Sequence, residues 1–95
     1  MDAFLHGTRL SIKWHGDVYW FDRESGEIGL NGKIPFHVKR ITIDDYEARQ
    51  FMDDVDVLSS QFPIKNKANP EYTRRRQELI DFAEETLGPY MELAA

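Results

Sequence analysis

The spacing of hydrophobic side chains changes near the middle of this 95-residue chain. Leu10, Ile12 and Trp14 alternate with polar residues, which is the period-two pattern of a half-buried strand. From residue 48 onward, apolar residues recur every three or four positions, as on one face of an amphipathic helix: Ala48, Phe51, Met52, Val55, Leu58 and Phe62. The order therefore predicts a sheet in the first half and helices in the second.

Turn-forming residues divide the first half into four predicted strands within residues 8–43. Residues 22–26 read as a turn, because Asp and Ser side chains hydrogen-bond to nearby backbone and Gly26 tolerates a positive φ. Asn31-Gly32 predicts a tight type I′ hairpin. The alternating stretch 34–38 after it predicts a fourth strand, which Pro35 restricts to an edge or a bulge. The apolar positions then shift to Ile41 and Ile43, which predicts a bulge or bend near Arg40.

Two helices are predicted in the second half, over residues about 44–62 and 70–87. Thr42-x-x-Asp45 and Asp44-x-x-Glu47 both resemble N-terminal capping patterns, and Asn69-Pro70 is a typical helix start. Gly88-Pro89 indicates the end of the second helix, followed by a short apolar tail. The predicted fold is a single α+β domain spanning residues 1–95, with a four-stranded antiparallel meander and two helices packed on one sheet face.

Composition excludes several classes of protein. The chain has no cysteine, which rules out disulfides, zinc–thiolate sites and cysteine nucleophiles. It has no apolar run of the roughly 20 residues that a membrane span requires. Met1–Ser11 carries no basic segment followed by an apolar run, so we expect no secretory signal and a cytoplasmic location.

Charge is concentrated in blocks, and the first acidic block is the best functional clue. Six carboxylates and one cation, Arg49, lie within residues 44–62. The carboxylates predicted to form an acidic helix face for a basic partner are Asp45, Glu47, Asp53, Asp54 and Asp56. Like charges at helical spacing repel, which favours a functional reason for keeping them. The alternative is a solvated face without a partner.

A basic segment follows, and it supports a second hypothesis. Its cations are Lys65, Lys67, Arg74, Arg75 and Arg76, which together would form a nucleic-acid-binding patch. The net charge of −5 opposes that reading, because nucleic acid repels an acidic protein. The alternative is internal pairing with Glu71, Glu78 or the acids of the first helix, and Arg74–Glu78 and Glu71–Arg75 have the required i,i+4 spacing.

Consecutive aromatic residues must place large groups on both faces of the sheet. Tyr19, Trp20 and Phe21 alternate in direction along one strand. If helices cover one face only, Tyr19 or Trp20 is exposed as a partner-binding anchor or a homodimer seam. The alternative is a curled sheet that buries the aromatic side chains of both faces.

No catalytic, metal-binding or cofactor-binding motif is present. His6, His15 and His37 lack the spacing of a zinc site, and no phosphate-binding glycine loop appears. We therefore predict a non-catalytic module without cofactor. The hypothesis is a small inhibitor or modulator, such as a phage-encoded accessory protein, that docks on a nucleic-acid-processing partner as a nucleic-acid mimic. The alternatives are a nucleic-acid-binding module, a small enzyme or an oligomeric structural protein.

Overall fold

A computed structural model describes residues 1–62 and 68–94 of the chain. Five strands form one antiparallel sheet: β1 (Asp2–His6), β2 (Arg9–Trp14), β3 (Asp17–Asp22), β4 (Glu27–Leu30) and β5 (Lys39–Thr42). Their spatial order is β4-β3-β2-β1-β5, so β4 and β5 form the two edges. Three helices follow: α1 (Asp45–Gln61), α2 (Pro70–Thr86) and α3 (Gly88–Ala94).

Local sequence explains the starts of both long helices. The side chain of Asp44 accepts a hydrogen bond from the backbone N–H of Glu47 at 3.0 Å. Asn69 accepts one from the N–H of Glu71 at 3.0 Å, with Pro70 as the first helical residue. Both caps satisfy backbone donors that a helix N-terminus leaves unpaired, and both occur where the sequence predicted them.

One predicted turn is present, whereas the tight hairpin turn lies at a different position from the predicted one. Asp22 accepts hydrogen bonds from the N–H groups of Glu24 and Ser25, and this predicted turn joins β3 to β4. The tight two-residue turn is found at His15-Gly16, where φ is 50° and 84°. Positive φ at both central positions is the requirement of a type I′ turn.

The predicted hairpin at Asn31-Gly32 and the strand at 34–38 are wrong. Asn31 does have a positive φ of 66°, and its N–H donates to the carbonyl of Val18 at 2.6 Å. The chain then leaves β4 and crosses to β5 at the opposite edge. Four strand spacings amount to about 19 Å, and eight residues reach at most about 28 Å. Residues 31–38, the crossing segment, are therefore long enough to connect the two edges.

The helices cover one face of the sheet, as predicted. The core side chains on this inner face of the strands include Leu10, Ile12, Tyr19 and Phe21, all buried. They share a single cluster with side chains from all three helices, among them Phe51, Val55, Leu79, Ala83 and Met91. The α+β prediction is therefore confirmed, with five strands and three helices instead of four and two.

Both additional elements lie near the ends of the chain. β1 lies outside the predicted range 8–43 and pairs with β2 and β5. α3 occupies the tail after the predicted stop at Gly88-Pro89. α2 ends at Thr86, as predicted, but Leu87 keeps helical dihedral angles and α3 begins directly afterwards at Gly88. Met91 then packs into the core.

Candidate functional site

The outward side of α1 carries the predicted acidic face. Asp45, Asp53 and Asp56 are exposed, whereas Glu47 and Asp54 are half-buried on its flank. This division agrees with the helical spacing of the sequence, because residues at 100° intervals place 47 and 54 toward one side. The five predicted carboxylates therefore belong to one helix surface. Its centre is exposed to solvent and its flank is partly covered.

Several of these carboxylates already have structural partners. Asp45 accepts a hydrogen bond from the N-terminal ammonium group at 2.7 Å, and this ion pair lowers the pKa of Asp45. Glu47 accepts one from the hydroxyl of Tyr90 at 2.8 Å. That contact raises the pKa of Tyr90. These two acids therefore help to attach the chain start and α3 to α1.

Asp54 and Asp56 differ in environment. Asp54 accepts a 3.4 Å hydrogen bond from Gln50, and burial raises the pKa of its carboxyl group. Asp56 accepts from the hydroxyl of Tyr19 at 2.9 Å. Neither carboxylate forms an ion pair with a cation in the described ranges 1–62 and 68–94.

Asp53 lies at the centre of the exposed surface of α1. It has no hydrogen bond or ion pair within the described part of the chain. Tyr46 and Val57, seven residues before and four after it, lie on the same side of the helix and are 76% and 48% exposed. We name this surface the α1 outer face; it consists of Asp45, Tyr46, Asp53, Asp56 and Val57.

The predicted aromatic anchors are on other parts of the molecule. Tyr19 is 5% exposed and belongs to the core, so the expectation that it is an exposed anchor is wrong. Burial and the hydrogen bond to Asp56 raise the pKa of Tyr19 to about 12. Trp20 is half-buried on the opposite, outer face of the sheet. Because α1 packs on the inner face, Trp20 and the acidic carboxylates do not form one continuous surface.

The outer face of the sheet is partly covered. A row of paired residues crosses all five strands: Arg40, Phe4, Ser11, Trp20 and Gly29. The guanidinium carbon of Arg9 lies 3.9 Å from the ring centroid of Trp20. A Cβ atom on Gly32 would lie 3.1 Å from the same ring, so the crossing segment passes directly over Trp20. This cover reduces the aromatic surface that a dimer seam could use.

Two arginines of the predicted basic segment pair with acids of α2, and the third reaches the turn between β3 and β4. Arg74 pairs with Glu71 at 2.7 Å and with Glu78 at 2.8 Å. Arg75 pairs with Glu71 at 3.0 Å, and the two arginines lower the pKa of Glu71. Arg76 donates to the carbonyl of Gly26 at 3.2 Å. Both i,i+4 pairs predicted by the alternative interpretation are thus present. Lys65 and Lys67 lie outside the described residues.

Sequence reasoning missed two groups of surface residues. Tyr46 and Val57 fall at helical spacing from Asp53, and that spacing could have identified them. The crossing segment belongs to a stretch from 28 to 43 that contains three cations and no acid. That absence of acids indicated a basic surface, although nothing local indicated that it lies across the sheet.

Comparison with protein-family models, with curated proteins and with solved structures finds no match to this chain. No helix of the described residues is long and apolar enough to cross a membrane. Among the same residues, no three or more side chains of His, Asp or Glu are grouped so that they could hold a metal ion.

Proposed function

We propose that the protein is a small non-catalytic binding module that acts in the cytoplasm, and that its α1 outer face docks on a basic surface of a larger protein. The partner class we infer is a nucleic-acid-processing protein, whose substrate-binding groove is cationic. Occupation of that groove by carboxylates would inhibit or modulate it.

The surroundings of Asp53 carry this proposal. This carboxylate is unpaired among the described residues and lies between two exposed side chains, Tyr46 and Val57. A charge beside an aromatic side chain suits an interface, because the charge guides association while the aromatic ring contributes most of the buried area. The one cation of α1, Arg49, lies with its guanidinium carbon 5.2 Å from the ring of Trp14. It forms no ion pair with Asp53.

The nucleic-acid-binding alternative has less support. Arg74 and Arg75 share the carboxylate of Glu71, and Arg74 also binds Glu78. A phosphate would have to displace these contacts before it could use either guanidinium group. We therefore retain the acidic surface as the proposed functional surface.

The test compares two variants with equal change in charge. Asp53→Lys combined with Asp56→Asn removes two negative charges from the α1 outer face, adds one positive charge and leaves Tyr19 a hydrogen-bond acceptor. Asp81→Lys combined with Glu85→Gln makes the same change on exposed positions of α2. We expect a pull-down from the source cell to recover a basic protein with the wild type and with the α2 variant, and to lose it with the α1 variant.

Equal recovery by both variants would contradict the proposal. So would equal loss, because that result reflects net charge rather than a particular surface. Circular dichroism of each variant verifies that the fold is retained.

A further inference from the structure

The crossing segment and the outer face of the sheet border a second candidate site, which is open to solvent. Between them lies a cavity of about 430 Å³. This volume is within the range of roughly 300–1,000 Å³ that small-molecule sites occupy. Its apolar wall is formed by Phe4 from the sheet and by Ile34, Pro35 and Val38 from the crossing segment.

Ser11 lies on the floor of this cavity. It occupies the central strand, between Phe4 on β1 and Trp20 on β3, and is 4% exposed. Its hydroxyl group has no hydrogen-bond partner among the described residues. No fully buried side-chain nitrogen or oxygen in that part of the chain lacks a partner, so this oxygen is open to the cavity. It can therefore form a hydrogen bond with a molecule that enters.

The remaining hydrogen-bonding capacity of the cavity consists mainly of donors. The Oδ1 atom of Asp22 already accepts from Thr8 and from two backbone N–H groups, and its Oδ2 atom lies 3.5 Å from the Nε atom of Arg9. Lys33 and His6 have no hydrogen bond or ion pair in the part of the chain described. Glu24 is the other carboxylate in the lining, and it is exposed.

We propose that this cavity binds a small organic anion that has a flat apolar ring system. The ring system would pack against Phe4 and Pro35. The anionic group would accept hydrogen bonds from the hydroxyl of Ser11, the guanidinium of Arg9 and the ammonium of Lys33. Carboxylates and phosphates share this chemistry, since both present several acceptor oxygens to such donors. The site lies on the opposite side of the sheet from the α1 outer face and does not depend on it.

Nuclear magnetic resonance of the isotope-labelled full chain tests the proposal. The probes are 1-naphthoate and adenosine 5′-monophosphate, each compared with a neutral counterpart, 1-naphthamide and adenosine. We expect saturable shifts of the amide signals of Ser11, Lys33 and their neighbours at about millimolar concentration, and at least about tenfold weaker binding of the neutral counterpart. Binding of one anion alone identifies the ligand as a carboxylate or as a phosphate. Absence of binding by both anions overturns the proposal, as do shifts that sodium chloride reproduces at equal ionic strength.

Two variants and two matched controls assign the binding to this cavity. We expect Ser11→Ala and Lys33→Gln each to weaken binding about fivefold to tenfold, which is the effect of one lost hydrogen bond. Lys13→Gln changes a cation of the same strand face that does not line the cavity, and Ser59→Ala changes an exposed serine of α1. Both controls should bind as the wild type does. Undiminished binding by Ser11→Ala and Lys33→Gln overturns the proposal.

Discussion

The hydroxyl group of Tyr19 donates a hydrogen bond to the carboxylate of Asp56 at 2.9 Å. The ring of Tyr19 belongs to the sheet core, and Asp56 belongs to the exposed side of α1. The contact therefore joins the two layers of the protein at the edge of its core. It also gives the hydroxyl group of a buried ring a hydrogen-bond acceptor.

Tyr19→Phe should lower the free energy of unfolding by about 1 kcal/mol, because it removes one hydrogen bond and retains the buried ring. Asp56 remains exposed to water after the substitution, so the loss stays small. Chemical denaturation measures the difference. Tyr46→Phe is the matched control, since Tyr46 is 76% exposed, and it should change the stability very little. An equal effect of both substitutions would contradict the role of the Tyr19 hydroxyl.

The same contact predicts a dependence of stability on alkaline pH. The pKa of Tyr19 is about 12 in the folded protein, against an ordinary value of about 10. A pKa raised by folding means that the native state favours the neutral phenol. The contribution of the neutral Tyr19 phenol to the free energy of unfolding is complete below about pH 10 and is lost as the pH rises through about 12. The stability difference between wild type and Tyr19→Phe should therefore shrink over that interval, as followed by denaturation at a series of pH values.

Met91→Ala should destabilise the protein by about 2 to 3 kcal/mol, because Met91 is 5% exposed and attaches α3 to the core. Leu93→Ala on the same helix is the control. Leu93 is 87% exposed, and its substitution should change the free energy of unfolding by close to zero. Thermal or chemical unfolding distinguishes the two. If the two variants are equally stable, α3 is not packed as described.

Gly29→Ala should destabilise the protein by about 1 to 3 kcal/mol through overpacking. A Cβ atom at Gly29 would lie 2.4 Å from Cζ2 of Trp20, so the ring or the strand must move. In a Trp20→Val background the same glycine substitution should lower the free energy of unfolding much less, because the obstructing ring is absent. A double-mutant cycle measures this coupling. Additive effects would show that Gly29 is required for another reason.

The predictions that proved accurate depend on short stretches of chain. The caps at Asp44 and Asn69 and the Arg74–Glu78 pair join residues at most four positions apart. Hydrophobic spacing is equally local, and it identified both long helices and most of the sheet. The acidic side of α1 follows from that spacing, since helix geometry alone separates exposed from buried positions.

β1 was not predicted, and the fourth predicted strand began too early, because β1 and β5 depend on each other. Asp2–His6 contains adjacent apolar residues, Phe4 and Leu5, which break the alternating pattern. Its partner β5 lies more than 30 residues later, and the register pairs Phe4 with Arg40. The apparent turn at Asn31-Gly32 also satisfies its local requirement for positive φ at Asn31 without forming a hairpin.

The sequence by itself determined the order of strands and helices and the acidic character of α1. Tertiary structure alone decided that Tyr19 faces the core while Trp20 faces the crossing segment. The two residues are neighbours with equally suitable side chains, so alternation requires opposite faces but does not select between them. The selection comes from the helices, which cover the face that carries Leu10, Ile12 and Phe21 and bury Tyr19 with them.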